Sequence, residues 1–296
     1  MSLVVTLVAA DPHDLAAAME AVEIAVVGTG AAVGEPDLLG PNAADLPVQS
    51  AFQALIRERA EGALEGRQVD VCVQPVAGRR KRLLIADMDS TIITVECLDE
   101  LADFAGVKDA VSAITERAMA GELAFEGALR ERVAMLKGLG LEALQRCYDE
   151  RVKLNPGAET LVRTMAAHGA RCALVSGGFT FFTSRVAMAA GFHDNRANTL
   201  IEDGGVLAGR VSEPILGREA KLAALQEEVA ALGLTAHDAL AVGDGANDLA
   251  MIEAAGLGVA YRAKPVVAAQ ADARVDHADL TALLYFQGYR REDFAA

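Results

Sequence analysis

Three short apolar runs, at residues 83–86 (LLIA), 171–175 (RCALV) and 239–242 (ALAV), each stop abruptly at small or acidic residues. Runs of this length without alternation predict strands buried on both faces of a parallel sheet. Helical spacing of apolar residues separates them, at 156–168, after Phe179 as far as Ala190, and at 217–232, with Pro156 opening the first of these helices and Gly169 closing it. Between the first run and Asn155 the pattern is helical throughout. Four segments, 95–104, 107–120, 125–136 and 141–151, are punctuated by Gly106, Gly121, Gly138 and Gly140, which predicts a small helical bundle inserted after the first core strand. Residues 198–211, with Gly204-Gly205 in the middle, read as a β-hairpin. Short strands and helices alternate at 257–261, 266–271, 273–275 and 280–285. The fold class expected is α/β, a parallel-sheet core with an inserted helical cap.

Residues 1–78 carry a different pattern and read as a separate α+β unit. Residues 3–8 and 22–27 read as strands, 36–47 as a loop, 50–64 as a helix, and 69–73 as a strand that Pro75 ends. The division expected is therefore 1–78 and 79–296, with the second unit split into a core of 81–94 and 155–296 and a cap of 95–154. The alternation of Val69, Val71 and Val73 calls for a covering surface, supplied by the rest of the chain or by a second copy in a homodimer.

The chain has 296 residues, and 52% of them are hydrophobic, which excludes a disordered protein. Its net charge of −15, from 42 acids and 27 bases, argues against nucleic acid or an anionic membrane as a partner. The one basic run, Arg79 to Arg82, reads as a solvated linker. No apolar stretch is long enough to span a membrane and the N-terminus lacks the features of a signal peptide, so a cytoplasmic location is expected. Cys72, Cys97, Cys147 and Cys172 have no metal-binding or disulfide-framework spacing and read as buried thiols.

The chemistry sits where the apolar runs stop. Asp87 and Asp89 follow the first, at the carboxyl edge where open α/β sheets place their ligands. Two acids so close repel unless a cation separates them, and a carboxylate held beside a hard divalent ion can attack phosphorus. The second run ends in Ser176-Gly177-Gly178, a hydroxyl and free N–H groups that suit an anion. The third ends in Gly243-Asp244-Gly245-Ala246-Asn247-Asp248, whose acids are costly to assemble without a ligand. Lys221 lies near the start of the preceding helix. Taken singly, Lys221, Glu96 and Arg132 read as solvated charges, His13 as an incidental surface histidine, and Met119 and Phe125 as bundle core.

Together these segments resemble the haloacid dehalogenase-like superfamily, whose motifs are a D-x-D pair, a Ser or Thr, a Lys and a G-D-x-x-x-D loop. The likeness covers roughly residues 81–285. DMDST, VEC, LRERV, VSGGF and GDGANDLAM are most similar to the branch acting on O-phosphoserine, and the N-terminal unit is similar in element order to ACT-like extensions. The resemblance implies a Mg²⁺-dependent phosphatase in which Asp87 is the nucleophile and Asp89 the acid and base. It implies that Asp87, the Asp89 carbonyl and Asp244 hold Mg²⁺ with Asp248 behind them, and that Ser176, Gly177, Lys221 and Asn247 bind phosphate. Glu96 and Arg132 would then take the substrate's ammonium and carboxylate, covered by Met119 and Phe125. Two alternatives stay open at this point: the same chemistry on another small monoester or with an acceptor alcohol, and a serine-sensing protein that has lost catalysis.

Overall fold

The computed structural model describes residues 1–119 and 123–295, apart from the side chains of Glu116, Ala118 and Met119. The chain begins as an antiparallel sheet of β1 (Ser2–Ala9), β2 (Ala32–Val33), β3 (Asp37–Gly40), β4 (Ala43–Gln49) and β5 (Val69–Pro75). The order is β2-β4-β1-β5, with β3 also paired to β4. Two helices, α1 (Leu15–Val27) and α2 (Gln53–Ala63), share a core with one face of this sheet, meeting Leu3, Val5 and Leu7 of β1 and Leu46 and Val48 of β4. Because strand side chains alternate, the intervening residues point the other way. Val8, Ala43 and Cys72 belong to the same apolar cluster as Leu84, Tyr285 and Phe286 of the second unit.

The polar residues of that second face make the joint. Buried Asp70 accepts from the backbone N–H groups of Asp276 (2.9 Å) and Ala278 (2.8 Å), and Gln74 Nε2 donates to the Phe286 carbonyl at 2.7 Å. Asp45 pairs with Arg79 at 2.7 Å. A chain starting at Gly78 is expected to keep its own sheet but to lose this cover, with a fall in Tm on the order of 10 °C for a few kcal/mol and stronger self-association. Thermal unfolding and light scattering of the two forms would test this; identical profiles would contradict it.

Three expectations fail in this region. Residues 22–27 are the end of α1, because the buried positions Leu15, Ala18, Val22 and Val26 follow a helical spacing that the β-branched residues conceal. Residues 36–47 hold β3 and most of β4, since β4 pairs with β1 along its whole length and carries Pro47 opposite Val4. The basic run is solvated only in part: Arg80 and Arg82 are exposed, but Arg79 and Lys81 are not. Lys81 is 3% exposed, its Nζ donating to the carbonyls of Gly78 (3.0 Å) and His237 (2.9 Å), while Arg80 stacks on Tyr289.

From residue 81 the chain builds a six-stranded sheet, every strand parallel. The first strand, β6 (Leu83–Ala86), is central, and after it come the cap helices α3 (Cys97–Phe104), α4 (Lys108–Met119), α5 (Phe125–Ala134) and α6 (Leu141–Arg151). The chain returns through α7 (Ala158–Ala167), β7 (Arg171–Phe179), α8 (Thr180–Ala190) and β8 (Asp194–Asn198). A hairpin of β9 (Leu200–Asp203) and β10 (Val206–Val211) precedes α9 (Arg218–Ala231) and β11 (Ala239–Gly243). The chain ends in α10 (Leu249–Ala254), β12 (Leu257–Tyr261), α11 (Pro265–Ala268), β13 (Ala273–Val275) and α12 (Ala282–Phe286). The sheet order is β13-β12-β11-β6-β7-β8.

Apolar runs account for β6, β7 and β11, each buried almost throughout. The polar strand β8, DNRAN, had no such signal and takes the sheet edge, where one side of the ladder needs no partner. The hairpin therefore starts later than expected, at Leu200. It leans on the cap: Leu207 N–H donates to the Leu139 carbonyl at 2.8 Å and its own carbonyl accepts from Gly138 at 2.9 Å. All four cysteines are buried and free. Among the described residues no helix is long and apolar enough to cross a membrane.

Candidate active site

The central position of β6 between β11 and β7 brings three strand ends together. Asp87 continues β6, its N–H donating to the Val242 carbonyl at 3.0 Å, so its carboxylate emerges at the carboxyl edge, 4% exposed. Lys221 reaches this point from α9 and is 2% exposed, with Nζ bonded to Asp87 Oδ1 and, at 2.5 Å, to Asp248 Oδ1. Burial would strip the lysine of its proton, but the carboxylates of Asp248 and Asp87 outweigh it and hold the ammonium charged.

Asp248 is fully enclosed. Its second oxygen accepts from the Gly245 N–H at 3.0 Å, so both are engaged by protein. Asp244 is only half-buried and takes a hydrogen bond from Thr91 Oγ1 at 3.3 Å. Burial and the neighbouring Asp248 charge push its carboxyl up to about 6, against the pull of Lys221. One oxygen from each of Asp87, Asp244 and Asp248 lies within 4.8 Å of the others. Hard oxygen donors at that spacing, with the Asp87 and Asp244 carboxyls raised first by burial and then by neighbouring carboxylates, fit a divalent cation.

Asp89 sits beside this group on a different set of bonds. Oδ1 accepts from the Cys97 N–H at 2.9 Å and Oδ2 from Ser176 Oγ at 3.1 Å, while burial raises its pKa. Ser176 Oγ accepts in turn from the Gly178 N–H at 2.8 Å. Gly178 is needed for space: a Cβ there would stand 2.7 Å from Asp89 Oδ2 and 3.0 Å from Ser176 Oγ. Gly178→Ala is expected to displace Asp89 and lower kcat roughly 10- to 100-fold with little change in Tm. Unchanged kcat would show that Asp89 tolerates the shift.

Ser90 has φ of 58°, a costly conformation for a side chain other than glycine. This twist turns its hydroxyl onto Glu96 Oε1 at 2.7 Å. Glu96 is exposed as a residue, yet the protein packed around its carboxyl and the charge of Asp89 push that carboxyl to about 7. Half-buried Arg132 on α5 donates to the Ala128 carbonyl at 3.2 Å and to Thr115 Oγ1 at 3.4 Å. Burial lowers its pKa while the nearby Asp99 and Glu96 charges raise it. Phe125 opens α5 and lies across two glycines, its ring 3.1 Å from where a Cβ would stand at either Gly177 or Gly217. Asn247 is half-buried beside Gly245, and the side chain of Met119 lies outside the described residues.

Three further contributors have no role assigned from the sequence, although Thr91 and Cys97 fall within DMDST and VEC. Thr91 touches Asp244, the Cys97 N–H holds Asp89, and buried Asn198 ties the end of β7 to the loop before α9. Asn198 Nδ2 donates to the carbonyls of Gly177 (2.8 Å) and Leu216 (3.1 Å), and Oδ1 accepts from the Leu216 N–H at 2.7 Å. Hollows of about 360 and 470 Å³ beside the loop around His277 contain none of these groups, so chemistry rather than size marks the site.

A family model for haloacid dehalogenase-like hydrolases matches residues 84–253. The chain is 43% identical over 232 residues to a phosphoserine phosphatase of Archaeoglobus fulgidus, a match covering 78% of this chain and 67% of that protein. It is 46% identical over 208 residues to one from a Polaromonas species, covering 69% and 88%. Among solved structures, that of a probable phosphoserine phosphatase from Vibrio cholerae, in unliganded form, superposes with a TM-score of 0.79 at 30% identity, covering 99% of this chain and 88% of that one.

Proposed function

The chain belongs to the haloacid dehalogenase-like hydrolases, among the phosphoserine phosphatases, and from that premise we propose that it hydrolyses O-phospho-L-serine to L-serine and phosphate through an aspartyl-phosphate on Asp87. The observation that carries this reading is the meeting of Asp87, Lys221, Asp244 and Asp248 in one cluster, with Asp89 and Ser176 bonded beside it. In the reaction an Asp87 oxygen bonds to phosphorus as the bond to the seryl oxygen breaks, and Asp89 gives that oxygen a proton. Asp89 then takes a proton from water, which attacks phosphorus and frees the Asp87 carboxylate. The raised pKa of Asp89 suits the first of these roles.

Asp87, Asp244 and the Asp89 carbonyl would hold Mg²⁺, with Asp248 fixing Lys221 and the Gly245 loop behind them. The ion supplies charge to offset that developing on the phosphoryl oxygens. Ser176, the Gly177 N–H, Lys221 and Asn247 bind the remaining oxygens. Glu96 and Arg132 take the ammonium and carboxylate of the amino acid, and Phe125 covers them. Serine release in a biosynthetic route, a cytoplasmic setting and a unit boundary near residue 78 accompany this reading.

Phosphate release from a panel of monoesters, with and without Mg²⁺ and acceptor alcohols, tests it. A clear preference for O-phosphoserine that depends on Mg²⁺ is expected; a preference for another ester, or phosphate passed to an alcohol, would replace it with a sister activity.

The metal makes a separate prediction in pH. Asp244 and Glu96 have folded pKa values raised to about 6 and about 7, so the metal-free folded state binds protons more tightly than the unfolded chain. That contribution is present below the ordinary carboxylate range and is lost as pH rises through 6 to 7. Mg²⁺ competes with the proton on its ligand Asp244, so it should raise Tm more at pH 8 than at pH 5.5. Equal shifts at both pH values would mean that the ion binds elsewhere.

A further inference from the structure

The cap joins the core through two crossings, and these are bonded to each other. Ile93 and Leu154 form an isolated antiparallel bridge, the Thr94 N–H donates to the Lys153 carbonyl at 3.0 Å, and the Asn155 N–H donates to the Ile92 carbonyl at 2.8 Å. One side chain crosses this joint. Asn155 is 7% exposed, and its Nδ2 donates to the carbonyls of both Thr91 (2.8 Å) and Ile93 (3.0 Å). Its own carbonyl accepts from the Ala158 N–H at 3.0 Å, tying the same residue to the first turn of α7 in the core.

What Asn155 holds lies between the reacting groups and the substrate-selecting ones. Thr91 places its hydroxyl on Asp244, and two residues before it Asp89 receives the Cys97 N–H. Ser90 is kept in its left-handed conformation with its hydroxyl on Glu96. The segment from Asp89 to Cys97 therefore has to follow one path for all these contacts to form together. Within the segment the Ile93 N–H donates to the Met88 carbonyl at 3.0 Å and the Ser90 N–H to the Val95 carbonyl at 3.3 Å, but the carbonyls of Thr91 and Ile93 turn toward the returning crossing, where Asn155 meets them. An amide with two donors suits a pair of carbonyls, whereas a carboxylate or an apolar group would leave both buried without a hydrogen bond.

We propose that Asn155 is a positioning residue for the reaction: it staples the outgoing crossing to the returning one and so sets Glu96 and Ser90 in register with Asp87 and Asp89. The assignment rests on the phosphoserine reading for its kinetic consequence but not for its structural one. Without the staple the segment gains freedom: Asp89 keeps its bond to Ser176 of β7, whereas Glu96, held through Ser90 inside the segment, drifts while the phosphate-binding residues on β7 and α9 stay fixed. The loss should therefore appear in KM for phosphoserine more than in kcat, and little with an ester lacking an amino acid.

The experiment uses the full chain and compares wild type with Asn155→Ala and Asn155→Ser, the latter keeping one donor. For Asn155→Ala, kcat/KM on O-phosphoserine is expected to fall about 10- to 50-fold, mostly through KM, and on p-nitrophenyl phosphate less than 3-fold. Asn155→Ser should lie between that variant and wild type. Amide hydrogen exchange gives the second readout, with faster exchange at residues 92–96 and 152–155 and unchanged exchange in β7 and β11. Equal losses on both esters would reduce Asn155 to a general stabilising residue and overturn the proposal, as would unaltered exchange at the crossings. If wild type has no preference for phosphoserine, the functional reading fails, and exchange at the crossings alone decides whether the staple exists.

Discussion

Asp87→Asn is expected to fold normally and to lose turnover by roughly 10⁴-fold or more, because an amide oxygen cannot form the phospho-enzyme. The site predicts a second consequence. Burial lifts the pKa of Asp87 well above the ordinary carboxylate range, with Asp248, Asp89 and Asp244 adding to the strain and Lys221 opposing it. Removing one charge from this crowd relieves repulsion, while the asparagine carbonyl can still accept from Lys221. The metal-free variant should thus unfold at the same temperature as wild type or higher at pH 8, a pattern of stability held in check for activity. Rapid-quench phosphate release and thermal unfolding would measure the two effects. Near-normal turnover in Asp87→Asn would dispose of the covalent route, and a Tm several degrees lower would give Asp87 a structural role instead.

The other large effect concerns substrate choice. If Arg132 pairs the substrate carboxylate as proposed, Arg132→Ala should reduce kcat/KM for O-phosphoserine by about 2–5 kcal/mol, or roughly 30- to 4,000-fold, since it leaves that carboxylate without its partner. An aryl phosphate has no carboxylate or ammonium and should change far less. Glu96→Gln should show the same contrast more weakly, because the amide keeps a hydrogen-bonding oxygen toward the ammonium. The decisive quantity is the ratio of kcat/KM on the two esters across wild type and both variants. If both substrates lose equally, Arg132 acts through its bonds to Thr115 and the Ala128 carbonyl, holding the cap together rather than choosing the substrate.

How far the chain could be read from its pattern depended on whether a residue's partners were local. Asp87 and Asp244 stood out because each follows an apolar run that can only be a buried strand, and the structure places them at neighbouring strand ends. Lys221 had no such mark. On α9 it has the spacing of any helical lysine, and only the fold brings Asp87 to it from 134 residues away. The burial of Lys81 is hidden from the sequence for the same reason, its acceptor at His237 being 156 residues distant. The β-branched end of α1 was read as a strand because propensity outweighed the helical spacing of its buried positions. Polar β8 and the asparagines at 155 and 198 were missed because their work is with backbone groups, which no side-chain pattern records.

The second face of the N-terminal sheet bears on how the whole chain comes apart. Val8, Leu39, Ala43 and Cys72 lie in one apolar cluster with Leu84 of the central strand and Phe286 near the C-terminus, so neither unit can open without exposing the other. Cooperativity then extends across the linker. Urea should reveal a single sigmoidal transition, with probes in both halves coinciding and a slope appropriate to all 296 residues rather than to either part.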